Sequence, residues 1–207
     1  MSHAWRHGVL RGSPPRPTGG RLVVKIGGSL LGRPRWPEAV VALLADERIG
    51  GPHRRRLLVV GGGPVVDGLR AIDAAARQPD EPMHWRAVEA LGITARIVAD
   101  ALRLPLVRTP SAEGDGVLDV PAWLDGGGPL PVGWHVTSDS IAAVAAGVAV
   151  AGLVLAKSGP PPAGSVHDVA AAGWVDGYFP EAAAALADIA WAAPATPTPA
   201  GTSRAEP

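Results

Sequence analysis

The chain of 207 residues has no cysteine, only two lysines, and a single tyrosine and a single phenylalanine. The absence of cysteine excludes disulfides, thiolate metal sites and cysteine nucleophiles. Acidic and basic residues balance at 19 each, so the basic excess typical of non-specific binding to nucleic acid or to a membrane surface is missing. Every long apolar stretch is interrupted by charge, and we expect no transmembrane helix. These absences predict a cytoplasmic protein without nucleic-acid or membrane partners.

The residues that are present favour a folded domain. Apolar residues make up 47% of the chain and charged residues 18%, which is enough to bury a full core. Two of the 19 basic residues are lysines, Lys25 and Lys157, so 17 are arginines. One interpretation is a coding bias toward arginine, which would produce this ratio of arginine to lysine without any functional cause. The alternative is that each retained lysine supplies a compact ammonium where a planar guanidinium does not fit.

The middle of the chain alternates short β-type runs with longer helical patterns, which predicts a mostly parallel sheet covered by helices. Residues 1–20 and 192–207 are rich in proline, alanine and glycine, and we expect a disordered leader and a disordered tail around a single domain at 21–191. Strands are expected at residues 21–26, 57–60, 104–107, 117–120 and 153–156. Helices are expected at residues 36–48, 64–77, 83–102, 140–150, 166–172 and 180–191.

Two glycine-rich junctions follow buried strands in the first third of the chain. Lys25 lies near the end of the first strand, just before Gly27 and Gly28. Glycines in this place let backbone N–H groups approach a bound anion, with Lys25 projecting over it; the alternative is a tight turn with a solvated lysine. The second junction begins a helix, whose N-terminus favours another anion site. It consists of Gly61, Gly62 and Gly63.

A third junction combines the start of a helix with the end of a later strand. Ser138 or Asp139 is expected to cap the helix, and for Asp139 alone this is the more common role. Lys157 directly follows the buried strand at 153–156, much as Lys25 lies at the end of the first strand. In a site that contains both lysines, a carboxylate would orient the ammonium groups and hold them in place without substrate.

Four segments, in this order, resemble the amino acid kinase superfamily, the group of aspartate, acetylglutamate, uridylate and isopentenyl phosphate kinases. They are VVKIGGSLL, VVGGGPVVDGLR, HVTSDSIAAVAAGVA and LVLAKSG, and the resemblance extends over residues 21–159. It implies a three-layer αβα sandwich with an open, mainly parallel sheet. Met83-His84-Trp85 and the TSDSIAA run resemble most the small archaeal-type branch, which includes the kinase of methanofuran biosynthesis and has relatives in bacterial one-carbon metabolism.

The resemblance implies transfer of the ATP γ-phosphoryl group to a phosphate or carboxylate without a covalent intermediate. It implies that Lys25 contacts the transferring group, that Asp139 organises the lysines, and that Lys157 lies on the nucleotide side. The residues implied in binding phosphate or nucleotide are Gly27, Gly28, Ser29, Ser158 and Gly159. Those implied in binding the acceptor are Gly61, Gly62, Gly63, His84 and Ser138. ATP, Mg²⁺ without protein ligands, a small-molecule acceptor and a homo-oligomer are the implied partners.

Two further side chains have alternative roles. His84 is either a donor to an acceptor phosphate or a histidine on a helix surface, and Asp67 either meets an acceptor amine or occupies an ordinary exposed helix position.

One departure from the family concerns the nucleotide side. Members usually follow this strand with a turn that carries a carboxylate, whereas here Gly159 leads into Pro160. The alternative function is therefore a catalytically silent member that binds a ligand or supports an assembly.

Overall fold

The computed structural model describes residues 4–12, 20–49, 51, 55–125, 127–160 and 163–195. Within these ranges seven strands form one sheet with the order β1-β7-β6-β2-β3-β5-β4, in which only β1 and β7 pair antiparallel. The strands are β1 (Trp5–Arg11), β2 (Arg21–Ile26), β3 (Arg55–Val60), β4 (Leu106–Val107), β5 (Gly116–Leu118), β6 (Gly152–Ala156) and β7 (Ile189–Pro194).

Helices cover both faces of this sheet. They are α1 (Gly28–Leu31), α2 (Trp36–Leu44), α3 (Gly63–Ala75), α4 (Asp80–Leu102), α5 (Val120–Leu124), α6 (Ser138–Val148), α7 (Val166–Ala171) and α8 (Phe179–Ala182). The expected α/β class with an open, mainly parallel sheet is confirmed. The expected strands at 21–26, 57–60 and 153–156 and the helices at 64–77, 83–102 and 140–150 are confirmed within about three residues at their ends. None of the helices in the described ranges is long and apolar enough to cross a membrane.

Alternate residues of the central strands pack into two separate cores. Val23, Leu57 and Leu155 face the side covered by α6, α7 and α8. Their neighbours Val24 and Leu58 face the side covered by α1 and α2. Side chains of a strand alternate between its faces, so residue 25 of β2, and residue 157 just beyond β6, lie on the same side as α6.

The prediction of a helix over residues 180–191 is wrong. One helical turn, α8, ends at Ala182, and the sequence from Ile189 to Pro194 forms β7 instead. Its alanines favour a helix locally. However, pairing with β6 on one side and β1 on the other buries both Ile189 and Trp191 almost completely, and this tertiary pairing outweighs the local preference.

The expectation that the leader lacks structure is wrong for Trp5–Arg11, which forms the edge strand β1 on β7. Trp5 is 3% exposed and its indole N–H donates to the Ala39 carbonyl at 3.0 Å. The expectation of a tail from residue 192 is wrong for residues 192–194, which belong to β7. Residues 1–3, 13–19 and 196–207 lie outside the described residues, and the single domain at 21–191 stays a prediction.

Candidate active site

The ends of β2, β3 and β6 lie side by side at the centre of the sheet. The chain passes from β2 to β3 on one side and later returns to β6 on the other. In an open parallel sheet, such a reversal of strand order creates a crevice at the carboxyl ends of the strands, where ligands bind. The three junctions singled out in the sequence therefore meet at one place.

The two glycine-rich junctions touch each other through their backbones. A Cβ on Gly28 would lie 2.2 Å from the Gly63 nitrogen, and one on Gly61 would lie 2.6 Å from the Gly28 nitrogen. Gly63 also has a φ of +50°, which side chains rarely adopt. The Gly27 N–H donates to the Ala156 carbonyl at 2.8 Å, so the bonding between β2 and β6 already engages this group. These glycines fix how closely the two loops approach.

A buried ionic cluster lies beside these loops. Asp139 pairs through one carboxylate oxygen with the Lys25 ammonium at 2.8 Å and accepts a hydrogen bond through the other from the Lys157 ammonium at 2.7 Å. Lys157 also donates to the Trp174 carbonyl at 2.8 Å. The side chains of Lys25 and Asp139 are only 5% and 7% exposed. Both lysines of the chain thus share one carboxylate, in the arrangement that the resemblance implies.

Burial and charge act in opposite directions within this cluster. Burial favours the neutral form of Asp139, but the positive charges of Lys25 and Lys157 outweigh it, so the pKa of Asp139 lies below its ordinary value. Burial, and then repulsion from Lys25, lower the pKa of Lys157 to about 8, although Asp139 acts to raise it. Two lysines and one carboxylate leave a net positive charge in the cluster below that pH.

We expect one of the two lysines to lose its proton near pH 8. The chain contains only two lysines, so lysine labelled with ¹³C at Cε gives two side-chain signals in an NMR titration. The Lys157 signal, assigned by its loss in Lys157→Met, should have a midpoint near the expected pKa of about 8. A midpoint near 10.5, the ordinary value, would contradict the buried position of this ammonium.

The same shift has a defined sign for stability. The pKa of Lys157 is lower in the folded chain than the ordinary value of 10.5, so the unfolded chain binds more protons between about pH 8 and 10.5, and the free energy of unfolding rises with pH across that window. The lowered pKa of Asp139 stabilises the fold above the ordinary carboxyl pKa, and this contribution is lost as the pH falls through the folded-state value. The urea midpoint of the wild type should therefore rise with pH across the Lys157 window. The midpoint of Lys157→Met should lack this rise.

A cavity of about 240 Å³ opens next to the glycine loops, between α3, α4 and the start of α6. All five residues implied in acceptor binding line it: Gly61, Gly62, Gly63, His84 and Ser138. Gly28 and Ser29 line it as well. His84 is 6% exposed, and its Nδ1 lies 3.3 Å from the Gly133 amide nitrogen, so the alternative of a surface histidine is wrong.

Part of this cavity was not predicted from the sequence. The Arg70 guanidinium stacks over the Trp134 ring at 5.5 Å and donates to Asp67 at 3.0 Å, and these three side chains line the opening. Asp67 is an exposed residue of α3, and it also lines the cavity. The apolar part of the wall consists of Val66, Ala87, Val88, Leu91, Val136 and Ile141. The site therefore combines a charged opening with an apolar interior.

The remaining residues implied in nucleotide binding connect the ends of β2 and β6. The Ser29 hydroxyl donates to the Ser158 hydroxyl at 3.1 Å. Gly159 packs against Trp174, since a Cβ there would lie 3.1 Å from the indole ring. Neither Ser158 nor Gly159 lines the cavity beside the glycine loops. These contacts place the two serines on the same strand ends as the lysines.

Sequence reasoning also missed the anchor of α6. Neither Ser138 nor Asp139 caps this helix; Thr137 is its N-cap, and the carboxylate of Asp176, from the loop between α7 and α8, accepts hydrogen bonds from Thr137 and Ser140. Asp176 lies in the run Val175-Asp176-Gly177-Tyr178, in which an acidic residue before glycine marks a turn. Nothing in that run indicates its distant partner.

A comparison with protein families finds that the model of the amino acid kinase family matches residues 20–108. The matched residues contain Lys25 and all five glycines of the first two junctions. The match ends before Asp139 and Lys157. No curated protein matches the chain.

Several solved structures are similar to this chain. UMP kinase from Ureaplasma parvum has a TM-score of 0.50 and 14% identity, over 70% of this chain and 71% of the kinase, and it shows the same fold. Uridylate kinase from Archaeoglobus fulgidus has a TM-score of 0.48 and 17% identity over 68% of this chain. Aspartate kinase from Synechocystis has a TM-score of 0.49 and 16% identity over 68% of this chain. This chain spans 64% of the archaeal kinase and 29% of the aspartate kinase.

Proposed function

We propose that the chain is a member of the amino acid kinase family that transfers the γ-phosphoryl group of ATP to a phosphate or carboxylate group of a small acceptor. The observation that carries this proposal is the pair of lysines, buried Lys25 and partly buried Lys157, which share the buried carboxylate of Asp139 where three strands end. The cluster has a net positive charge, it adjoins two glycine loops, and a cavity opens beside it. Such a site suits the transfer of an anionic group between two anions.

The reaction requires positioning and charge neutralisation rather than a nucleophile on the protein. An oxygen of the acceptor anion forms a bond to the γ-phosphorus, and the bond from that phosphorus to the bridging oxygen breaks, so ADP leaves with the electron pair. The Lys25 ammonium stabilises charge on the transferring group, and the Lys157 ammonium stabilises charge on the leaving phosphate. Asp139 holds both ammonium groups in place and limits their repulsion when no anion is bound.

The nucleotide is assigned to the side of β6. Ser29, Ser158 and Gly159 border the lysine cluster there, and the Ser29–Ser158 hydrogen bond joins the two strand ends. The described residues contain no group of three or more side chains that would hold a metal ion, and both oxygens of Asp139 face ammonium groups. Mg²⁺ therefore fits this site only as an ion carried by the nucleotide phosphates, and no step is assigned to it.

The acceptor is assigned to the cavity on the side of β3. Gly62, Gly63, Ser138 and His84 line this cavity, and Ser138 directly precedes Asp139 of the lysine cluster. The apolar interior suits an acceptor with a compact apolar body, and Asp67 at the opening suits an amine. A phosphomonoester of this kind would be converted to a phosphoanhydride. The resemblance to the methanofuran branch makes aminomethylfuran phosphate, of one-carbon cofactor metabolism, the first acceptor to test.

An acceptor panel tests this function. Purified protein with ATP and Mg²⁺ is incubated with aminomethylfuran phosphate, other small phosphomonoesters, UMP, aspartate and acetylglutamate, and ADP release is measured. We expect acceptor-dependent ADP release, with at least a tenfold preference in kcat/KM for one small phosphomonoester over UMP. Arg96→Ala, which removes an exposed cation on α4, is the control and should retain the wild-type rate. Tight binding of acceptor and ATP without ADP release would instead identify a catalytically silent member.

A further inference from the structure

The carboxylate of Asp176 joins a late loop of the chain to the start of α6. Its Oδ2 accepts hydrogen bonds from the Thr137 N–H at 2.9 Å, from the Thr137 hydroxyl at 2.7 Å and from the Ser140 N–H at 3.1 Å. Its Oδ1 accepts from the Ser140 hydroxyl and from the Tyr178 N–H, the latter at 3.2 Å. Five donors on one carboxylate make this the main anchor of the first turn of α6.

The local cap of α6 is weaker than this distant one. The Thr137 hydroxyl oxygen accepts from the Asp139 N–H at 3.4 Å, close to the limit for a hydrogen bond. Asp176 instead occupies the N-terminus with a full negative charge, which the unpaired N–H groups and the helix dipole favour. The first turn of α6 therefore takes its position from a residue nearly forty positions further along the chain.

That first turn carries Ser138 and Asp139 of the proposed site. Ser138 lines the cavity, and Asp139 pairs with both lysines. The loop that carries Asp176 also holds Lys157 directly, because the Trp174 carbonyl accepts from its ammonium at 2.8 Å. Residues 174–178 thus contact both the carboxylate-bearing helix and one of the two ammonium groups.

We propose that Asp176 is a positioning residue that holds Asp139 at the distance from Lys25 and Lys157 that phosphoryl transfer requires. This inference rests on the proposed function. Asp176 lies outside the set of residues that line the cavity, and it acts through the first turn of α6. A displacement of about 1 Å in such a site lowers catalytic rates on the order of 100-fold, so the loss of this anchor should appear in kcat.

The experiment compares Asp176→Asn, Ser140→Ala and a matched control, Asp168→Asn. Ser140→Ala removes one donor to Asp176 and is the milder variant if Asp176→Asn folds poorly. Asp168 caps the short helix α7 through its hydrogen bonds with Ser165, as Asp176 caps α6, but it is exposed, and those bonds involve neither a lysine nor α6. Each full-length variant is measured in two ways: by kcat and KM with the best acceptor, and by the two ¹³Cε-lysine signals.

We expect kcat to fall about tenfold or more in Asp176→Asn, and less in Ser140→Ala, with a change in the acceptor KM of less than about threefold. The Lys157 signal should shift in both variants, while Asp168→Asn leaves kcat and both signals unchanged. Wild-type kcat and unchanged lysine signals in Asp176→Asn would overturn the inference, as would an equal loss in Asp168→Asn. If the wild type transfers no phosphoryl group, the proposed function fails, and the lysine signals alone still decide whether Asp176 positions the cluster.

Discussion

Lys25→Ala should abolish ATP-dependent phosphoryl transfer and leave the protein folded. In the proposed mechanism the Lys25 ammonium stabilises charge on the transferring group, and removal of one group that stabilises transition-state charge lowers kcat by roughly 100- to 1000-fold. The fold should persist because the remaining pair, Asp139 and Lys157, is electrically neutral. Steady-state kinetics and thermal unfolding of the same samples measure both effects.

Lys25→Arg sharpens this test because it retains the positive charge. A guanidinium is planar and wider than an ammonium, and the side chain of Lys25 is almost fully buried beside Asp139. We expect this variant to lose nearly as much activity as Lys25→Ala. Arg96→Ala removes an exposed arginine instead and should keep the wild-type kcat. Wild-type turnover in either Lys25 variant would remove Lys25 from the mechanism.

Asp139→Asn should have the largest effect on stability. It leaves two ammonium groups side by side without a counter-charge, and breaking a buried ion pair in this way costs about 3–5 kcal/mol. For a domain of this size, each kcal/mol lowers the melting temperature by roughly 2–4 °C, so we expect a decrease of roughly 6–20 °C. The rate of phosphoryl transfer should fall as well, because neither the Lys25 nor the Lys157 ammonium group is then held in place. Differential scanning calorimetry measures the decrease in melting temperature.

Two further variants show whether the loss comes from the lysines. Asp73→Asn is the matched control, because Asp73 is equally buried but pairs with the exposed Arg77, which can return to water. It should destabilise the protein less and leave kcat unchanged. In the double variant Asp139→Asn with Lys157→Met, one uncompensated charge is gone, and the melting temperature should partly recover. A double variant no more stable than Asp139→Asn would show that repulsion between the lysines is not the cause.

The centre of the site could be predicted because its signals are local. A buried strand that ends in glycines identifies a junction, and in a parallel sheet such junctions lie at one edge. The alternation of side chains along β2 puts Lys25 on the face that α6 covers. The two lysines lie at the two strand ends that flank Asp139.

The parts that were missed depend on contacts between distant segments. The alanines before Trp191 favour a helix locally, and only pairing with β6 and β1 makes this segment a strand. Once β7 is taken for a helix, the leader has no partner, and β1 is missed as well. The contact of Arg70 with Trp134 and that of Asp176 with Ser140 likewise join segments that no periodicity relates.

The most direct test of the proposed site follows the phosphorus atom itself. Wild-type protein and Lys25→Ala are each incubated with ATP, Mg²⁺ and the best acceptor of the panel, and the mixtures are examined by ³¹P NMR. In the wild-type sample, the γ-phosphate signal of ATP should disappear while signals of ADP and of the phosphorylated acceptor grow at equal rates. The Lys25→Ala sample should remain unchanged. Transfer at the same rate in both samples, or hydrolysis of ATP to free phosphate with the acceptor untouched, would contradict the proposed mechanism.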